Sequence, residues 1–281
     1  MRQTTVRFAS WNIGTPSAAR LQRQVDFLRA LDCEVVALQE VSAENGRALE
    51  ASPAFPFVWQ GLTLRPRLGE ETASRNRGCV VLASERFRPL SEPEVLLGAA
   101  APERSVAIRL GFEGGELNAA SFHQVAGSDK KKWGPAKKRQ TFRAIAEWLG
   151  RHSVRAVMGI DANSPELDHP DVSRNIYFFD RLAGDQDEHL LHDPTRATHV
   201  LVDVYRSFLH AHPEELERIV SVRPEGPVAV SHFNRSRPRR FDFIYATPDL
   251  RPERVVYHHE TLTDKLSDHA LVVADLVLAP P

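Results

Sequence analysis

Apolar residues recur along this chain with two periods, and the switches between them mark its elements. From Thr5 to Ile13, Val6, Phe8 and Ser10 alternate with Arg7, Ala9 and Trp11, which predicts a strand ending at Trp11-Asn12-Ile13-Gly14. Pro16 and Ser17 open a segment in which Leu21, Val25, Leu28 and Leu31 share one face of an amphipathic helix. The next run, Val35-Val36-Ala37-Leu38, is short and rich in valine, hence a buried strand that delivers Gln39 and Glu40 at its end.

The same reading continues down the chain. Cys79 to Leu82, Ser105 to Leu110 and Leu117 to Phe122 predict strands, the last ending at His123. Pro135 suits the first residue of a helix whose Phe142, Ile145, Ala146 and Leu149 form a core face. Val154 to Ile160 predicts a strand ending in Asp161, and Phe241 to Ala246 and Ala270 to Leu278 read as the last two strands. Pro53 to Gly69, rich in proline and aromatics, reads as loop, and the polar stretch from Asp180 to Thr198 as a surface excursion. Strands interleaved with helices give an α/β class, and 281 residues without internal repeats suit a single domain over 1–281.

Composition narrows this further. With 42% apolar and 26% charged residues the chain is globular in character. A net charge of −1 excludes a whole-molecule basic field, so attraction to a polyanion must come from local clusters. The two cysteines, Cys33 and Cys79, have no metal or redox spacing, which suits small buried hydrophobes in a reducing compartment. No apolar run approaches the roughly 18 residues of a membrane span, and none at the N-terminus suits a signal peptide. The expectation is a soluble, cytoplasmic protein with no membrane partner, monomeric by default.

Candidate chemistry gathers where strands end. Asn12, Glu40, His123, Asp161 with Asn163, and the pair Asp268-His269 ahead of the final strand all occupy such ends. Any one of them alone reads as a turn former or an ordinary surface residue. In chain order, however, Ala9-Ser10-Trp11-Asn12-Ile13, Leu38-Gln39-Glu40-Val41, Ser121-Phe122-His123, Gly159-Ile160-Asp161-Ala162-Asn163, Arg240-Phe241-Asp242-Phe243-Ile244 and Leu266-Ser267-Asp268-His269 form a series. That series resembles the six motifs of the endonuclease/exonuclease/phosphatase superfamily, whose best-known members are similar to pancreatic deoxyribonuclease, and it spans residues 8 to 275.

The resemblance implies a DNase-I-like, four-layer α/β sandwich of two packed mixed β-sheets flanked by helices. It also implies Mg²⁺, with Mn²⁺ as a substitute, on Glu40 and Asp268 with Asn12 nearby. Magnesium is a hard cation that binds through one or two carboxylates and keeps several waters, so these residue types suit it. The family gives Asp161 the task of aligning and deprotonating the attacking water, with Asn163 orienting it or the phosphate, and makes Asp242 the partner that fixes His269. His123 would face the scissile phosphate from the other side. One departure stands out: pancreatic-type nucleases carry a glutamate just before the strand at Cys79 to orient this histidine, and this chain has Asn76-Arg77-Gly78 there. His123 is then held by another group or by none.

Two basic clusters flank the motifs. Lys130, Lys131, Lys132, Lys137, Lys138 and Arg139 surround Trp133 after His123, and Arg235, Arg237, Arg239 and Arg240 lead into Asp242. Either is a solvated charged loop unless a polyanion faces it. Lys137 to Arg139 fall in the first turn of the expected helix, where cations oppose its dipole by a few tenths of a kcal/mol, and a nearby phosphate chain would reverse that sign. A basic rim with Trp133 free to stack on a base suits a nuclease with little sequence preference, acting on DNA or RNA. The alternatives are a phosphatase or phosphodiesterase for a small or lipid-borne phosphate, and a catalytically silent binding module. His189 with His192, and His210 with His212, lack the accompanying carboxylates or cysteines of a zinc site.

Overall fold

The computed structural model describes residues 4–66, 76–125, 134–151, 155–178, 187–197 and 199–278. One six-stranded sheet is built from β1 (Thr5–Asn12), β2 (Val35–Ser42), β3 (Phe57–Gln60), β4 (Arg77–Ala83), β13 (Leu250–His258) and β14 (Leu271–Leu278), in the order β13-β14-β1-β2-β4-β3. The second holds β5 (Arg88–Pro89), β6 (Ser105–Phe112), β7 (Gly115–His123), β8 (Ala156–Asp161), β9 (Val202–Asp203) and β12 (Asp242–Ala246), in the order β5-β6-β7-β8-β12-β9. Both are mixed: β1 runs parallel to β2 and β7 parallel to β8, and the remaining pairs are antiparallel. A two-stranded hairpin, β10 (His232–Asn234) and β11 (Arg237–Arg239), stands apart from both.

The valine-rich strands are apolar on both faces because both faces are covered. Val6, Phe8, Val35, Ala37 and Val81 of the first sheet meet Val106, Ile108, Ala119, Val157 and Ile244 of the second in one shared core. Helix α1 (Ala18–Ala30) lays Leu21, Val25 and Leu28 on the outer face of the first sheet, against Trp11, Val36, Leu38 and Val273. Helix α4 (Gly134–Arg151) lays Phe142, Ile145, Trp148 and Leu149 on the outer face of the second, against Phe122, Met158, Ile160 and Phe243. Helix, sheet, sheet, helix is the four-layer sandwich that the motif series implied. The remaining helices are short: α2 (Ala43–Glu50), α3 (Gly61–Leu64), α5 (His189–His192), α6 (Val204–Ala211), α7 (Pro213–Val222) and α8 (Glu260–Thr263).

Three readings of the sequence need correction. Pro53 to Gly69 is not all loop, because Phe57–Gln60 pairs antiparallel with β4 as an edge strand. Phe241–Ala246 and Ala270–Leu278 are not successive strands, since β13 lies between them and pairs along β14 with a register shift between Pro252 and Arg254. The stretch from 180 to 198 is only partly described, but His189–His192 is a helical turn, with Leu191 buried in the cluster beneath α4 rather than out on the surface.

Topology also brings the strand ends to one edge. Parallel strands present their C-terminal ends together, so Asn12 stands opposite Gln39 and His123 opposite Asp161. Antiparallel neighbours present their starts at that same edge: Asp242 pairs with Asp161, and β14 begins beside the end of β1. Beneath this edge the sheets touch through polar groups, with Gln39 Nε2 donating to Ser121 Oγ at 3.2 Å and Ser121 Oγ to the Leu38 carbonyl at 2.8 Å.

Candidate active site

Asp161 is the hub. It is 1% exposed, and its Oδ2 accepts from Asn12 Nδ2 at 2.8 Å while Oδ1 accepts from the Asn163 backbone N–H at 3.0 Å. His123 Nε2 lies 3.4 Å and His269 Nε2 4.0 Å from the same Oδ2. On its far side the His269 ring places Nδ1 2.8 Å from Asp242 Oδ2. Asn163 sits in the left-handed region at φ 47° and directs Nδ2 to the Gln124 carbonyl at 2.9 Å, within 3.4 Å of His123 Nε2.

Glu40 reaches the cluster through a bulge. Gln39 and Glu40 together oppose Cys79 alone across the β2–β4 pair, and Glu40 takes a φ of 59°, rare for a residue with a side chain. Its Oε1 is 4.0 Å from His123 Nε2, and its Oε2 pairs with the guanidinium of Arg77. The turn after β1 links the parts. Asn12 Oδ1 accepts from the Gly14 N–H at 3.0 Å, and Thr15 Oγ1 donates to the Glu40 carbonyl at 3.1 Å. A Cβ on Gly14 would lie 3.0 Å from Asp268 Oδ1, and its φ of +63° also favours glycine. Asn12, Glu40 and Asp268 therefore flank a single turn.

The loop ahead of β14 is stapled to β1. Ser267 Oγ donates to the Asn12 carbonyl at 2.6 Å, and the buried Trp11 indole donates to the His269 carbonyl at 3.0 Å. Ser231 Oγ accepts from the N–H groups of Phe241 and Asp242 at 2.9 and 3.1 Å, fixing the start of β12. His232, unmarked in the sequence reading, stacks on His269 with ring centroids 4.3 Å apart and lies 2.9 Å from the Asp268 carbonyl through Nδ1. Neither periodicity nor a motif flags His232 or Ser231; only their place shortly before Asp242 hints at them.

Burial sets the protonation of these groups. Burial pushes the Asp161 carboxyl well above the usual carboxylate range, and the charge on His269 only partly opposes that. Burial works against a charged His269 too, but the carboxylates of Asp242 and then Asp161 outweigh it and raise this imidazole to about 10. His123 is driven the other way, well below the ordinary histidine value, by burial first and then by Arg104. Its Nδ1 has no hydrogen-bond partner among the described residues, so nothing there stands in for the pancreatic-type glutamate.

The basic residues divide. Lys131, Lys132 and Trp133 lie outside the described residues, as does Lys130. Lys137 is exposed near the start of α4 and Arg139 is half-buried. Lys138 corrects the sequence reading: it is 1% exposed, pairs with Glu188 Oε1 at 2.8 Å and donates to the Asn163 carbonyl at 2.8 Å. It is an internal strut that holds Asn163. Arg239 is likewise buried and donates to the Glu166 carbonyl, and Arg240 is buried on Asp203 and Asp168. Arg235 and Arg237 are exposed on the hairpin whose foot is His232.

The donor set suits a hard divalent cation. Glu40 is partly exposed and Asp268 exposed, both carboxylates open to a hydrated ion, with further oxygen donors behind them. Among the described residues, His232 with Asp268 and His269, and Asp161 with Asp242 and His269, are the groups whose ligand atoms lie within 4.8 Å of one another. No described helix is long and apolar enough to cross a membrane.

The model of the Endonuclease/Exonuclease/phosphatase family matches residues 9–269. No curated protein matches the sequence. Among solved structures, an endonuclease/exonuclease/phosphatase from Beutenbergia cavernae is 21% identical with a TM-score of 0.65, the alignment covering 99% of this chain and 72% of that one. One from Bacteroides vulgatus is 17% identical at a TM-score of 0.60, covering 98% and 99%. TDP2 from D. rerio, complexed with a single-strand DNA product, is 15% identical at 0.61, covering 97% and 99%.

Proposed function

The chain belongs to the endonuclease/exonuclease/phosphatase family, and from that premise we propose that it is a magnesium-dependent phosphodiester hydrolase that cuts nucleic acid with little sequence preference. The observation that carries this reading is the buried Asp161, oriented by Asn12 and the Asn163 N–H, with His123 on one side and the His269–Asp242 pair on the other.

Hydrolysis of a phosphodiester needs a water aligned opposite the leaving oxygen and relieved of a proton as it attacks. Asp161 is that base, and burial makes it a stronger one than an exposed carboxylate. His269, held charged by Asp242, donates to a phosphate oxygen where negative charge gathers. His123, kept neutral by burial, contributes a hydrogen bond rather than a proton. Glu40 and Asp268, with Asn12 beside them, would hold Mg²⁺ or Mn²⁺, which supplies charge neutralisation at the phosphate when bound.

A polynucleotide substrate is favoured by the exposed Lys137, Arg235 and Arg237 near the site, and by the single-strand DNA product bound to the D. rerio neighbour. The same reading keeps Lys131, Lys132, Trp133 and Arg139 as substrate contacts. It places the protein in the cytoplasm as a single-domain monomer without a membrane partner. The deciding experiment offers a plasmid, a single-stranded oligonucleotide and bis-p-nitrophenyl phosphate with Mg²⁺ or Mn²⁺. Metal-dependent cleavage of the polynucleotides supports the proposal. Turnover of the small diester alone would return it to a phosphodiesterase for small or lipid-borne esters, and no turnover at all would leave a silent binding module.

A further inference from the structure

Arg104 is brought to the site by the pairing of two strands. It precedes β6, whose first residue, Ser105, stands opposite Phe122, so the antiparallel register carries Arg104 to a place across from His123 at the end of β7. Further along β6, Val106 and Ile108 lie in the core that the two sheets share. Alternation puts Arg104 on that same inward face, at the rim where the core gives way to the strand ends. The Cys79 thiol donates to the Arg104 carbonyl at 3.0 Å, which ties this backbone to β4 as well.

The guanidinium at this rim is half-buried and carries an unbalanced charge. It makes no ion pair or hydrogen bond with any of the described residues, and its Nε is shut off from solvent. Taking a cation partly out of water without a partner costs free energy, and an anion brought to it reverses that cost. Other arginines and lysines around the site do meet carboxylates: Arg77 meets Glu40, Lys138 meets Glu188, Arg239 meets Glu166, and Arg240 meets Asp203 and Asp168. Arg104 differs from all of them. Its charge is felt at the neighbouring ring, where after burial it is the largest influence holding His123 below the ordinary histidine value.

We propose that Arg104 is a phosphate-binding residue whose guanidinium takes non-bridging oxygens of the substrate phosphate on the His123 side of the site. Its planar fork of donors matches two such oxygens, and it supplies the positive charge that the neutral His123 beside it does not. The inference rests on the phosphoesterase reading of the site, although Arg104 lies outside the motifs that carry that reading.

The test has two arms. In the first, the intact wild-type protein with Mg²⁺ is treated with the arginine reagent phenylglyoxal, with and without inorganic phosphate, and modification is located by peptide mass. Phosphate should protect Arg104 and leave Arg109, exposed further along β6, as reactive as before. An Arg104 that reacts equally in both cases, or in neither, overturns the proposal. In the second arm, kinetics on bis-p-nitrophenyl phosphate at saturating Mg²⁺ compare wild type with Arg104→Gln and Arg104→Lys. Arg104→Gln should raise both KM and the inhibition constant of inorganic phosphate about tenfold, with the Mg²⁺ concentration for half-maximal rate unchanged. Arg104→Lys keeps the charge without the fork and should recover part of that loss. Wild-type values of KM and of the inhibition constant in Arg104→Gln would overturn the role of Arg104 alone. A wild-type protein that cleaves neither the small diester nor an oligonucleotide with metal present would remove the phosphoesterase reading, and this inference with it.

Discussion

His269 Nδ1 lies 2.8 Å from Oδ2 of Asp242, and that contact decides the charge of the imidazole facing Asp161. Asp242 is wholly buried, and its other oxygen, Oδ1, has no partner among the described residues, so its negative charge is directed at the ring. Replacing Asp242 by Asn should remove the main source of the raised imidazole pKa. In an NMR titration of metal-free protein, wild-type His269 should stay protonated until about pH 10, and the variant should titrate well below that. The folded value lies above the unfolded one near 6.5, so this protonation stabilises the fold fully below that pH and is lost as pH climbs toward 10. An unchanged titration in Asp242→Asn would refute the assignment.

Much of this site was legible in the sequence because its residues lie at strand ends, and strand ends follow from the hydrophobic pattern. The β1, β2, β7 and β8 runs are central, covered on both faces and rich in valine, so their limits and the residues after them could be read. What escaped was peripheral. β3 and β13 are the two edges of their sheet, where Pro252 and alternating charges are tolerated because one side of the strand needs no partner. Helices α6 and α7 also went unread, although Asp203 caps α6 through the N–H groups of Tyr205 and Arg206 and Pro213 opens α7. Lys138 was misjudged because charge in sequence does not reveal that Glu188, fifty residues on, is buried against it.

That buried pair makes its own prediction. Lys138→Met would strand Glu188 without its cation in a site where the carboxylate is 3% exposed, at a cost of about 3–5 kcal/mol in urea unfolding. Replacing both partners by apolar residues should recover much of it. A cost below the level of ordinary surface substitutions would mean that the pair is not formed.

The exposed cations should behave differently. Exchanging Lys137, Arg235 and Arg237 for Gln should leave stability nearly unchanged but weaken polynucleotide binding, flattening the slope of log K against log salt by about 0.7 to 0.9 per lost phosphate contact. A salt slope identical to wild type would reduce them to solvated surface.

His192 predicts acid sensitivity away from the site. Burial lowers this imidazole to about 3, and its Nδ1 lies 2.8 Å from the Tyr245 hydroxyl. The folded value is below the unfolded one, so the stabilisation is complete above about pH 6.5 and is lost as pH falls, at up to about 1.4 kcal/mol per pH unit. His192→Phe should flatten that part of the stability profile. Equal acid slopes in the two proteins would contradict the buried, neutral ring.

The central claim is that Asp161 takes the proton from the attacking water, and the most direct measurement is kcat of Asp161→Asn on a single-stranded oligonucleotide with Mg²⁺ and substrate both saturating. The replacement keeps the size of the side chain and one oxygen, enough to accept from either Asn12 or the Asn163 N–H but not both, and removes the base. The account predicts a fall in kcat on the order of 10²-fold or more with substrate affinity nearly unchanged. A kcat near that of wild type would contradict it.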